Sequence, residues 1–231
     1  MKNLKLFILF LLIGGIIMQT AHGAEQTKNV KPKRVILLGA SVGNSWKLPE
    51  WPLRMNNNNY VIEMIAEYAF DKSDALEEIL MRPKRKLHFT RTYLKSLFKP
   101  APQKPDILII KECAAYFPGD LAKYKVLIDK WVKRLQSAGV KPVLATVVPV
   151  TKEHSQTRPG RLEGILSYND WVREYTKEQN IPLLDLEQEL RISDEDRSLR
   201  PDLTKGDGLH LNPKAYEILD KFFSTFLGNI A

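Results

Sequence analysis

The chain has 231 residues, of which 44% are hydrophobic, a formal net charge of +8 and a single cysteine, Cys113. This apolar share excludes a disordered chain, and one cysteine excludes an intramolecular disulfide framework. Any folded part must be held by its core alone.

Lys2 and Lys5 precede a continuous apolar run from Leu6 to Met18, followed by small and polar residues up to Ala24. The run is shorter than the roughly 18 to 20 residues that span a bilayer, and Ala21, His22 and Gly23 fit a small-x-small cleavage site. Residues 1–23 are therefore expected to be a secretory signal peptide, and 24–231 a single domain of an exported protein, periplasmic or extracellular. Removing the two signal lysines leaves +6. The segment from Arg82 to Lys104 alone carries +8 and no acid, so the remainder is at −2. A solvated helix face accounts for this segment more simply than a nucleic-acid surface, and no nucleic-acid partner is expected. An anionic envelope surface is the alternative partner.

In chain order, Val35 to Leu38, Ile107 to Ile110, Val143 to Val148 and Ile181 to Leu186 read as buried strands. Each is short, rich in aliphatic residues and bounded by Pro, Gly or charge. Val61 to Phe70 fits both periods and is taken as a further strand, with Ser73 capping a helix through Leu80. Cys113 follows an aliphatic run and is expected to be a small buried hydrophobe. Tyr124, Leu127, Ile128, Trp131 and Leu135 share one helical face, opened by Pro118, Gly119 and Asp120 and closed by Gly139. His154 lies in a polar stretch read as a loop. A second helix covers about Leu162 to Glu178. A third begins with Asn212 as cap and Pro213 at its first position. Strands alternating with amphipathic helices imply an α/β fold: a doubly wound parallel sheet of about five strands, covered on both faces.

The glycines of "GASVG", Gly39 to Gly43, admit three readings. A dinucleotide loop needs a third glycine near the helix start, where Asn44, Ser45 and Trp46 stand. The G-x-S-x-G elbow of α/β-hydrolases normally follows several strands, whereas Ser41 ends the first. The third reading is a smaller hydrolase whose first strand delivers Ser41 to its carboxyl end. "KGDGLHLNPKAY", Lys205 to Tyr216, supports it. A nucleophilic serine needs a histidine base, and the base needs a carboxylate to fix its tautomer, which Asp207 and His210 supply three residues apart.

The chain resembles the SGNH hydrolases, the GDSL-like lipase and esterase superfamily. The resemblance rests on "ILLGAS", "PDILIIKE", "VLATVVP", "YNDWVREYTKEQNIPLLDL" and "DGLHLNPKAY", and spans nearly all of the chain after the signal. It implies a flavodoxin-like three-layer α/β/α sandwich and hydrolysis or transfer of an acyl group from a carbohydrate or lipid ester through an acyl-enzyme. Ser41 would be the nucleophile, His210 the general base and Asp207 its partner, with no metal or organic cofactor. Two departures stand out. Ala40 replaces the family's aspartate in the first block. The glycine and asparagine that complete the family's oxyanion hole are both missing, since no glycine occurs between Gly43 and Gly119 and the expected asparagine region reads Lys111 to Tyr116. Losing one such donor costs roughly 10²- to 10³-fold in rate. Candidate replacements are Ser73 at a helix start and Lys72, Lys111 and Glu112 near strand ends. The competing function is an inactive SGNH-like module that binds glycan or envelope components.

Overall fold

The computed structural model describes residues 31–81 and 104–230. The expected signal peptide and all of the basic segment except Lys104 lie outside them. Five parallel strands form one sheet in the order β2-β1-β3-β4-β5: β1 Lys33–Gly39, β2 Tyr60–Ala66, β3 Ile107–Lys111, β4 Lys141–Ala145 and β5 Leu183–Leu184. The helices are α1 Ser41–Ser45, α2 Trp51–Arg54, α3 Ser73–Met81, α4 Leu121–Ser137, α5 Lys152–Thr157, α6 Arg161–Glu178, α7 Leu186–Leu190 and α8 Pro213–Ile230. This is the expected three-layer sandwich with flavodoxin-like strand order.

β1 pairs with β2 along one edge and β3 along the other, and helices cover both of its faces. That is why Val35 to Leu38 is a continuous apolar run and not an alternating one. Ile36 and Leu38 meet α3, α4 and α6 through Leu76, Ile128, Trp131 and Ile165. Val35 and Leu37 meet α8 and the segment after β1 through Phe223, Leu219, Trp46 and Trp51. β2 resolves the ambiguous stretch as a strand, because Tyr60 and Ile62 are buried while Val61 is exposed. It is shorter than expected. Phe70 lies beyond it and stacks on Tyr124 with ring centroids 3.5 Å apart. As an edge strand it carries charge, the Glu63 carboxylate accepting from Arg34 Nε at 2.6 Å and from its terminal nitrogen at 2.9 Å.

Three expectations are corrected. Ser73 does not cap α3 but begins it: its N–H donates to the Asp71 carboxylate at 3.0 Å, and its hydroxyl accepts from the Trp131 indole at 2.9 Å. His154 lies in α5, a helix capped by Thr151, whose hydroxyl accepts the His154 N–H at 3.2 Å. Cys113 is partly exposed. β4 and β5 are also shorter than their apolar runs. Asp185 caps α7 by accepting from Gln188 N–H, which turns the chain out of the sheet. After β4, both main-chain polar groups of Val147 bond the buried Asn169 amide at 2.8 Å. Asn169 in turn donates at 2.8 Å to Glu187, fully buried and also gripped by Arg197.

Asp220 of α8 ties the last helix to the segment after β1. Its carboxylate accepts from the Trp46 indole at 2.8 Å and from Arg54 Nε and terminal nitrogen at 2.8 and 2.9 Å. Phe223 receives the edges of Trp46 and Trp51 one turn away. Asp220→Ala leaves a buried indole N–H and a half-buried guanidinium without their acceptor. It should cost about 2–3 kcal/mol, read as a lower urea midpoint at unchanged slope.

Candidate functional site

Ser41 is the first residue of α1, two positions past the end of β1. The glycines around it serve packing. A Cβ on Gly39 would stand 2.8 Å from the Lys111 carbonyl oxygen of β3, and one on Gly43 would stand 2.7 Å from Leu37. Their bare backbones let β1 press on β3 and α1 lie on the sheet, so neither is left open to cradle a phosphate. The Tyr216 hydroxyl of α8 donates to the Val42 carbonyl at 3.2 Å, fixing the turn that presents Ser41 from the opposite end of the chain.

The loop before α8 is shaped by Asp207. One carboxylate oxygen accepts the N–H groups of Leu209 and His210 at 2.9 and 2.8 Å, closing a tight turn. The other stands 2.5 Å from His210 Nδ1. A carboxylate there holds the proton on Nδ1 and leaves Nε2 as a proton acceptor. Burial works against ionisation of Asp207, but the His210 ring and these N–H groups outweigh it and hold the carboxyl down at about 2. Both side chains remain partly exposed. Among the described residues the Ser41 hydroxyl makes no direct hydrogen bond, to His210 or otherwise. Such contacts in unliganded hydrolases commonly tighten only when substrate arrives.

The other candidates form a separate cluster at the end of β3. Lys72 Nζ and Glu112 Oε2 are 2.6 Å apart, and both side chains are fully buried. Lys72 also donates to the Ala69 and Phe70 carbonyls at 2.9 and 3.3 Å and lies over the Phe70 and Tyr116 rings. Lys111 donates to the Glu112 carbonyl at 3.0 Å. Burial pushes the Lys111 ammonium down to about 8 and the Glu112 carboxyl up to about 7, against the pull of Lys72 on the latter. None of the three opens to solvent, and Ser73 spends its hydroxyl on Trp131.

Sequence reasoning missed what stands behind the Asp207 loop. Gly208 accepts from Thr151 N–H at 2.9 Å, and the Asp207 carbonyl lies 3.0 Å from His154 Nδ1. Thr151 ahead of Lys152 and Glu153 is a helix-start pattern that could have revealed α5.

A parallel sheet in the order 2-1-3-4-5, with Ser41 just past the end of the first strand and an Asp–His pair in the loop before the last helix, is the architecture of a flavodoxin-like α/β protein, whose sites lie at the carboxyl ends of the strands. The sequence profile of the GDSL-like lipase/acylhydrolase family matches residues 84–218, more than half of the chain, including Asp207 and His210 but not Ser41. The chain belongs to that family of SGNH ester hydrolases. No curated protein matches it in a sequence search. Among solved structures it is similar to a GDSL-like lipase from Bacteroides thetaiotaomicron (TM-score 0.62, 18% identity, 86% of this chain and 89% of that one). It is also similar to a carbohydrate acetylesterase from Sinorhizobium meliloti (0.58, 13%, 86% and 100%). A third is a psychrotrophic esterase from Pseudoalteromonas sp. (0.53, 14%, 85% and 97%).

Proposed function

We propose that the protein is an exported serine esterase that cleaves, or transfers, the acyl group of a carbohydrate or lipid ester. Ser41 attacks the carbonyl carbon, and His210 Nε2 takes the hydroxyl proton and returns it to the leaving alcohol. Water then releases the acyl group from Ser41 by the same route. Asp207 keeps the ring in the productive tautomer and stabilises the imidazolium. The observation that carries this reading is the 2.5 Å contact between His210 Nδ1 and Asp207. The acetylesterase similarity favours a short acyl group on a carbohydrate.

Export rests on the apolar run at Leu6 to Met18, and an anionic envelope contact on the charge of Arg82 to Lys104. A second reading, an inactive module that binds glycan or envelope components, draws support from the missing oxyanion glycine and asparagine. The buried Lys72–Glu112 pair near the usual position of those groups adds to it.

The two readings part on one experiment. Purified protein should be labelled at Ser41 by a fluorophosphonate and should hydrolyse p-nitrophenyl acetate, with both signals lost in Ser41→Ala. Equal inertness of wild type and Ser41→Ala would leave only the binding module. A panel of acetylated sugars set against longer acyl esters would then choose the substrate.

A further inference from the structure

A row of hydrogen bonds crosses from the loop after β3 to the Asp207 loop. Arg161, the first residue of α6, donates from Nε to the Phe117 carbonyl at 3.1 Å. One of its terminal nitrogens stands 3.0 Å from His154 Nε2, and His154 Nδ1 stands 3.0 Å from the Asp207 main-chain carbonyl. The carboxylate of that same Asp207 meets His210 at 2.5 Å.

The partners fix the chemical state of His154. A carbonyl oxygen only accepts, so Nδ1 must carry a proton. A guanidinium only donates, so Nε2 must present its lone pair. His154 fits this position only as the neutral Nδ1–H tautomer. A second proton would turn Nε2–H toward an N–H of Arg161 at 3.0 Å, opposing like charges as well as donors. The close approach of this helix start also explains Gly208, where a Cβ would come 2.5 Å from the Thr151 hydroxyl and 2.8 Å from His154 Cβ. A cleft of about 400 Å³ lined by Thr151, Glu153, His154, Thr204 and Asp207, among others, gives solvent a route to this loop from behind.

We infer that His154 is a positioning residue for the reaction: in its neutral form it links Arg161 to the main chain of Asp207 and so holds the His210 loop in register with the loop after β3. The inference rests on the esterase reading above.

The test uses the full protein with p-nitrophenyl acetate. His154→Ala should lower kcat about tenfold with KM changed by less than about twofold, the scale of one hydrogen bond lost from a positioned group. His154→Gln, which keeps one donor and one acceptor and takes no proton, should recover most of that loss. Ring ¹⁵N shifts should independently report His154 as the Nδ1–H tautomer near neutral pH, and a Nε2–H tautomer overturns the inference whatever the activity. An active wild type matched by His154→Ala in kcat overturns it too. A wild type that neither turns over ester nor takes fluorophosphonate overturns the esterase reading, and this positioning role with it.

Discussion

Asp207→Asn should lower kcat and kcat/KM together by about 10³- to 10⁴-fold and leave the protein folded. The asparagine keeps the oxygen that accepts the Leu209 and His210 N–H groups, so the turn survives. It sets an amide N–H against Nδ1, which moves the ring proton to Nε2 and removes the base. Stopped assays over a pH series check this, with circular dichroism confirming the fold. Wild-type Asp207, held down at about 2, stays ionised throughout any practical assay, so activity lost on acidification is not its protonation. Its folded value lies below that of a free carboxyl. It therefore stabilises the fold above the unfolded value of 3.8, and that contribution is lost as pH falls through about 2. A change of less than about tenfold in Asp207→Asn would remove the triad from the account.

Lys72→Met should destabilise the protein by about 3–5 kcal/mol, lowering Tm by roughly 10 °C or more. It leaves the Glu112 carboxylate buried, with Oε1 already lacking a partner. Glu112→Gln should cost less, about 2–3 kcal/mol, because Lys72 keeps two carbonyl acceptors and two ring faces. The double variant Lys72→Met/Glu112→Leu should recover most of the loss, since an apolar replacement removes both desolvation costs.

The cluster also has a pH signature. Glu112 binds its proton more tightly folded than unfolded, so its contribution is full below 4.5 and lost as pH rises through about 7. Lys111 binds its proton less tightly folded, so stability rises again between about 8 and 10.5. Urea midpoints across these windows check both slopes, and the double variant should lose the first.

The elements that the sequence made legible are those whose signal is local. The aliphatic runs at Val35 to Leu38 and Ile107 to Ile110 lie in strands, because strands buried on both faces need no polar alternation. Gly139 follows α4 and closes it, as its place after the helical pattern predicts, and its φ of 70° is the left-handed turn that glycine allows. Asn212 caps α8, its side-chain oxygen accepting from Ala215 N–H at 3.1 Å. "DGLH" was legible because its Asp and His bond within one turn. What stayed hidden depends on partners far along the chain. Ser73 looked like a cap by type, yet Asp71 takes its N–H and Trp131 its hydroxyl. Lys72 and Glu112 looked like rim charges open to a substrate until the fold closed over them. His154 gave no sign of its role, because Arg161 and the Asp207 carbonyl meet it only in the folded sheet.

The tie between Asp220 and Trp46, and that between Tyr216 and Val42, each join residues 174 positions apart. Ser41 emerges early in synthesis, but the side chains that seat its turn arrive with the last helix. Closing so long a loop is entropically slow, so the site should be among the final parts to assemble during refolding. A chain cut short before Pro213 would keep Ser41 but lose the side chains of α8 that hold its turn against the sheet.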